Sequence, residues 1–221
     1  MLRREFIMNR WLLTIAMCCV GLLVTAAEPE KDFYCVDFQS KANQKLADQF
    51  HSFANPGNNL ATLPRGDFKF NEVKFTIGEG MLQLANASMK DKPDKIAGLE
   101  LDLPVAKLHI LHGTGFAPPD LTKIGEYTVH YADKTTEVIP IVYGEDVRDW
   151  WDSDGHKQVT RGKEAWRGKN QATEKSKFEL RLYLTTWENP HPEKDITKID
   201  YSSTKTSIGA PFCVAITAEL K

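Results

Sequence analysis

Apolar and polar residues alternate along most of this chain with a period of two, the spacing of a strand that buries one face. In Gly125-Glu126-Tyr127-Thr128-Val129-His130-Tyr131, one face takes Glu126, Thr128 and His130 and the other takes Tyr127, Val129 and Tyr131. That is the pattern of a half-buried antiparallel strand. Segments rich in β-branched and aromatic residues and bounded by turn residues predict strands over 34–38, 73–77, 81–84, 98–103, 107–112, 124–130, 136–142, 179–185, 196–202 and 212–219. Helical spacing shows in one place. Ala42, Leu46, Phe50 and Phe53 recur three or four apart, predicting one short amphipathic helix over 40–53 that lies on the sheets. About ten short strands and a single helix predict an all-β fold, an antiparallel β-sandwich of the jelly-roll kind, with a closed barrel as the alternative. Two long connections remain, 39–71 and 143–177, and loops of that length in a compact domain tend to carry function.

The first residues follow another rule. Arg3, Arg4 and Arg10 precede an uncharged apolar run from Trp11 to Val24, and Val24 with Ala26, or Thr25 with Ala27, offers the small residues of a peptidase site. The run is about 14 residues, short of the roughly 20 needed to span a bilayer. Residues 1–26 therefore read as a cleaved signal peptide and 27–221 as one exported domain, periplasmic or secreted, with no membrane-spanning segment left after cleavage. A lipoprotein reading would use Cys18 or Cys19, but the bulky Met17 stands where a small residue is expected. Cleavage leaves two of the four cysteines, Cys35 and Cys213, both in strand-like runs near the two ends of the domain. First and last strands are often neighbours in sandwiches, and outside the cytoplasm such a pair can oxidise, so a Cys35–Cys213 disulfide is one expectation. Two separately buried thiols are the other.

Hydrophobic residues at 42% suffice for a core, and a net charge of −2 without basic runs excludes the electrostatic footprint of a nucleic-acid binder. The informative stretch is Tyr143-Gly144-Glu145-Asp146-Val147-Arg148-Asp149-Trp150-Trp151-Asp152, which packs two Trp, one Tyr, one Arg and four carboxylates into ten residues. Arg161 and Trp166 follow in the same connection, and Trp187 stands with Glu188 and Asn189 after the next strand. Sugar rings stack their C–H faces on indoles and offer hydroxyls to Asp, Asn and Arg, so the cluster suits a glycan. In the competing reading Trp150 or Trp151 plugs the core, and Arg148 or Arg161 forms a buried fork with Asp146 or Asp149. No cofactor is expected. Asp152-Ser153-Asp154-Gly155 is the one turn that could hold a structural calcium, yet it fails as an EF-hand and reads as an Asp/Gly turn. There is no Gly-x-Ser-x-Gly elbow, no His-Glu-x-x-His, no phosphate loop and no Cys/His metal spacing. His109 and His112, three apart on one strand, face opposite ways and do not share a metal.

Several longer runs add a resemblance. Asn58 to Gly66, Lys107 to Gly113, Ile124 to Asp133, Tyr143 to Trp151, Arg181 to Pro190 and Ala210 to Thr217 resemble motifs of a domain found in exported proteins of planctomycete-type bacteria, itself similar to galactose-binding-like jelly rolls. Lys134 and Cys213 depart from the pattern, which usually has Gly and an aliphatic residue there. The likeness spans most of residues 33–219 and implies a fold; it implies an activity only by analogy. The leading expectation is a non-catalytic module that binds a glycan or glycoconjugate through Tyr143, Asp146, Arg148, Asp149, Trp150, Trp151, Arg161, Trp166 and Trp187. A protein-interaction or envelope-assembly module that docks another exported protein is second, and a glycoside-active enzyme, which needs two converging acids, is third.

Overall fold

The computed structural model describes residues 31–51 and 55–221; the export signal expected over 1–26 lies outside them. Twelve strands follow in order: β1 (Phe33–Cys35), β2 (Gln44–Lys45), β3 (Gly66–Phe70), β4 (Val73–Ile77), β5 (Gly80–Gln83), β6 (Lys95–Gly115), β7 (Lys123–Tyr131), β8 (Thr136–Val142), β9 (Lys163–Gly168), β10 (Leu180–Glu188), β11 (Asp195–Ser203) and β12 (Ala210–Leu220). All named pairings are antiparallel, and the fold is the expected all-β sandwich.

The 21-residue β6 organises both layers. Its first half pairs with β11, which continues to β7 and β8. Its second half pairs with β12 on one edge and β10 on the other, and these continue to β5, β2 and β9. The passage between the two sets falls near Pro104, a residue that donates no ladder bond and is tolerated where pairing changes hands. Side chains from the two halves then meet in one core, where Tyr127, Ile139 and Ile199 pack with Leu82, Tyr183 and Ile216.

A second core lies on the other face of the β10–β6–β12–β5 layer. Along β12, Cys213, Ile216 and Ala218 enter the first core while Phe212, Val214 and Ala215 enter the second, with a bulge between Cys213 and Ala215. That layer is thus covered on both sides, which explains why β12 reads as a nearly unbroken apolar run. The cover is the β3–β4 hairpin together with Leu46, Phe50, Leu60 and Leu63 from the connection before it. Each such side chain contributes about 1.5–3 kcal/mol by leaving water.

The helix expected over 40–53 does not form. A 3-10 turn at Gln39–Lys41 and the two-residue β2 replace it. The reason is local: polar side chains that would sit on a helix bind backbone elsewhere. Gln39 grips Gly80 through both its amide oxygen, 3.0 Å from the Gly80 nitrogen, and its amide nitrogen, 3.2 Å from the Gly80 carbonyl. Asn43 grips Gln83 in the same way. A Cβ at Gly78 would run into the Gln39 side chain, so glycine is what lets it approach. Leu46 and Phe50 are buried as the spacing implied, but from a turn and from irregular chain.

The Cys35–Cys213 disulfide does not form either; both thiols are free. The ends of the domain are indeed neighbours, since β1 pairs with β12, but Cys35 stands opposite Thr217. Cys213 is four residues further along β12, about 13 Å away at roughly 3.3 Å per residue, whereas a disulfide needs Cα atoms within about 7 Å. Burial also pushes the Cys213 thiol up to about 12. Alkylation of the native protein, mapped by mass spectrometry, is expected to label half-buried Cys35 and to reach Cys213 only after unfolding. A disulfide-linked peptide carrying both residues would contradict this.

Candidate functional site

The first part of the connection between β8 and β9, residues 143–152, packs down onto the sheets, whereas most of 153–161 is exposed. Trp150 donates its N–H to the Thr114 carbonyl at 2.9 Å and accepts from Arg181 N–H at 2.8 Å, while Asp152 donates to the Glu179 carbonyl at 2.8 Å. The segment 149–152 is therefore laid as an extra extended piece between the end of β6 and the start of β10. This fixes where each side chain goes. Trp150 enters the second core, 2% exposed, stacked on Phe50 at 4.5 Å and edge-on to Phe212 at 6.1 Å. Trp151 stays half-buried and donates its indole N–H to Asn58 Oδ1 at 2.9 Å. The alternative in which one indole of the pair plugs the core holds for Trp150.

Most of the charged members of the predicted cluster brace the connection. Asp146 is buried; it accepts from Val142 N–H at 2.7 Å and from Arg161 Nε at 2.7 Å. Arg148 forks onto Asp120 at 2.9 and 3.2 Å, donates to the Gln158 carbonyl, and lies 5.5 Å over the buried ring of Tyr143. The Asp152 and Asp154 carboxylates, considered for calcium, face guanidinium groups instead. Arg181 Nη1 lies 2.9 Å from Asp152 Oδ1, Arg181 Nη2 lies 2.9 Å from Asp154 Oδ2, and Arg167 also pairs with Asp152. Burial pushes the Asp152 carboxyl up, but Arg167 and Arg181 outweigh it and hold it below its ordinary value. Among the described residues no cluster of three His, Cys, Asp or Glu is arranged to hold a metal. Trp166 and Trp187 are half-buried on β9 and β10, opposite Leu182 and Leu108; Trp166 packs against the same second core as Trp151, and Trp187 against the first.

Asp149, Trp150 and Trp151 do come together, in a cleft of 260 Å³ completed by His51, Asn55, Asn58 and Phe116. Phe116 follows the last residue of β6 and turns its ring outward, 37% exposed. Both Phe116 and His51 hold left-handed backbone conformations, with φ of 64° and 65°, which is strained for non-glycine residues and concentrates at functional sites. The His51 ring lies against Phe50, Phe116, Trp150 and Phe212 at centroid distances of 4.7–6.0 Å. Neither of its ring nitrogens has a hydrogen-bond partner, and burial lowers its pKa to about 3, so it is neutral. Asp149 accepts the backbone N–H of Trp151 at 3.1 Å, yet burial wins and its carboxyl is raised to about 6. A strained aromatic pair, an unpaired imidazole and a carboxyl that titrates near neutrality thus share one wall.

Compared with protein-family models, curated proteins and solved structures, the chain matches none. What the cleft can do must therefore be argued from its own groups. Sequence spacing had singled out Asp149, Trp150 and Trp151 but could not supply His51, Asn55 or Phe116, which arrive from distant parts of the chain. His109 and His112 face opposite ways, as their spacing implied. His109 bonds Thr186 Oγ1 at 2.9 Å and Glu219 Oε2 at 3.2 Å, while His112 bonds Thr185 Oγ1 at 2.9 Å in the first core. A second cavity of 260 Å³ beside His109 holds Arg161 with Lys31, Lys107 and Glu219. Several of its charges are paired among themselves or with neighbours, Lys31 with Glu219, Lys107 with Glu188 and Arg161 with Asp146, and Lys163 adds a further cation to the lining.

Proposed function

We propose that the cleft binds a glycan without cleaving it, in an exported setting, as the resemblance to galactose-binding-like jelly rolls implies. One observation carries the reading: the exposed Phe116 ring and the half-buried Trp151 indole flank Asp149 and His51, so flat apolar surface adjoins hydroxyl-bonding groups. The stacking platform is Phe116 with Trp151, not the four indoles the sequence offered; Trp150 is its floor. Among the described residues Asp149 is the one carboxylate lining the cleft, which favours binding over two-acid glycoside hydrolysis.

Tryptophan-fluorescence titration against soluble polysaccharides and simple sugars tests this. Saturable quenching is expected, weakened by about two- to tenfold in Phe116→Ala and in Trp151→Ala. The pH dependence has a definite sign. The ionised Asp149 carboxylate is the better hydroxyl acceptor, and with its pKa raised to about 6 it is lost as pH falls. Affinity should drop by about tenfold between pH 7 and pH 5. The same raised pKa acts oppositely on stability: the folded chain holds this proton more tightly than the unfolded one, so the gain present below about pH 4 fades as pH rises through 6. No saturable response to any polysaccharide at millimolar sugar removes the proposal.

A further inference from the structure

A neighbouring cavity of 240 Å³ shares His51 with the cleft and is lined, among others, by Phe50, Gln83, Met89 and the oppositely charged Asp91 and Lys92. Gln83 ends β5, opposite Phe212. Its backbone is pinned from the open edge by Asn43, whose Oδ1 accepts the Gln83 N–H at 2.8 Å and whose Nδ2 donates to the Gln83 carbonyl at 2.8 Å. The side chain is wholly buried, yet neither its oxygen nor its nitrogen has a hydrogen-bond partner on the protein. His51 repeats the situation with both ring nitrogens. Buried amides are nearly always satisfied, and one that is not weakens the fold. A Leu or Met at position 83 would fill the space without that loss, so the amide is a group kept for something that enters.

The lining defines what fits. Gln83 offers N–H donors and one carbonyl acceptor, and a neutral imidazole offers one donor and one acceptor. Phe50 and Met89 supply apolar surface. The complement is an uncharged group that carries its own N–H and C=O beside a methyl-sized apolar end, and an acetamido group has this composition. We infer that the Gln83 pocket receives the acetamido arm of an N-acetylated amino sugar whose ring occupies the Phe116–Trp151 cleft. The inference rests on the cleft being a sugar site, and His51, a wall of both spaces, is where ring and arm divide. Lys92, which contacts the Asn43 carbonyl at 3.5 Å and Gln44 Oε1 at 3.1 Å, adds a positive charge that joins burial in keeping the His51 imidazole neutral.

The test is a titration of the isotope-labelled protein with N-acetylglucosamine and N-acetylgalactosamine against glucose and galactose, followed by NMR. At least one acetamido sugar is expected to bind about tenfold more tightly than its parent sugar. The side-chain amide protons of Gln83 should shift with the acetamido sugar and not with the parent. Gln83→Met should bring the two affinities within about twofold while leaving the parent sugar's binding unchanged. Equal affinities with an unmoved Gln83 amide would overturn the inference, assign the pocket to water alone, and leave the cleft reading intact. If no sugar moves any signal from Phe116 or Trp151, the cleft reading fails and this one with it. The wild-type amide signal decides the matter even if the variant does not fold.

Discussion

Arg181→Met is expected to lower the stability of the folded chain by about 3–5 kcal/mol, the range for breaking a buried ion pair from one side. Arg181 and the Asp152 carboxylate are both fully enclosed, and the guanidinium also donates to the Asp149 carbonyl at 3.0 Å. The methionine leaves Asp152 with Arg167 and His156 as partners, which places the loss toward the lower end. Asp154 retains the Lys157 N–H at 3.2 Å and the more distant Arg148 at 3.8 Å. Urea unfolding measures the effect, and a loss below about 1 kcal/mol would mean that the pair roughly cancels its own desolvation. The stakes are functional as well, because this guanidinium ties the 149–152 segment to β10 and so sets where Asp149 and Trp151 stand.

Trp150→Ala should be about as damaging, at about 3–5 kcal/mol, since it opens a cavity beneath Phe50 and Phe212 in the second core. Trp150→Phe keeps part of the stack and should lose roughly half as much. Arg181 and Trp150 are coupled through the Arg181 N–H to Trp150 carbonyl bond, so the effects of the two substitutions are expected to be non-additive. If Trp150→Ala unfolds at the wild-type urea midpoint, the indole is not the floor of the cleft.

Strands whose apolar residues alternate over five or more positions were legible from sequence: 73–77 and 136–142 coincide with β4 and β8. β3 and β9 were not, because Gly66-Asp67-Phe68-Lys69-Phe70 and Lys163-Glu164-Ala165-Trp166-Arg167-Gly168 are charged, half-solvated strands with little apolar contrast. β6 read as two strands because Pro104 interrupts the pattern, whereas it marks the place where one continuous strand changes layers. The false helix arose from true information, the burial of Leu46 and Phe50, which a cover of turns and irregular chain achieves as well as a helix would. For the site, the sequence singled out the 143–152 stretch and left open which of its two indoles is buried; the structure buries Trp150. Adjacent indoles could not be sorted into core and surface without knowing that Thr114 and Leu180 flank them.

All the strands hydrogen-bonded to β6 lie later in the chain, as β10, β11 and β12. During synthesis this long, largely apolar ribbon has nothing to pair with until β10 emerges, and its pairing is completed only by β12. Closure then spans on the order of a hundred residues, the kind of topology that folds slowly and leaves sticky edges open meanwhile. A holdase that shields residues 95–115 during that interval would spare the nascent polypeptide from clumping, and its absence would show first as inclusion bodies, not as a shortened lifetime of the finished protein.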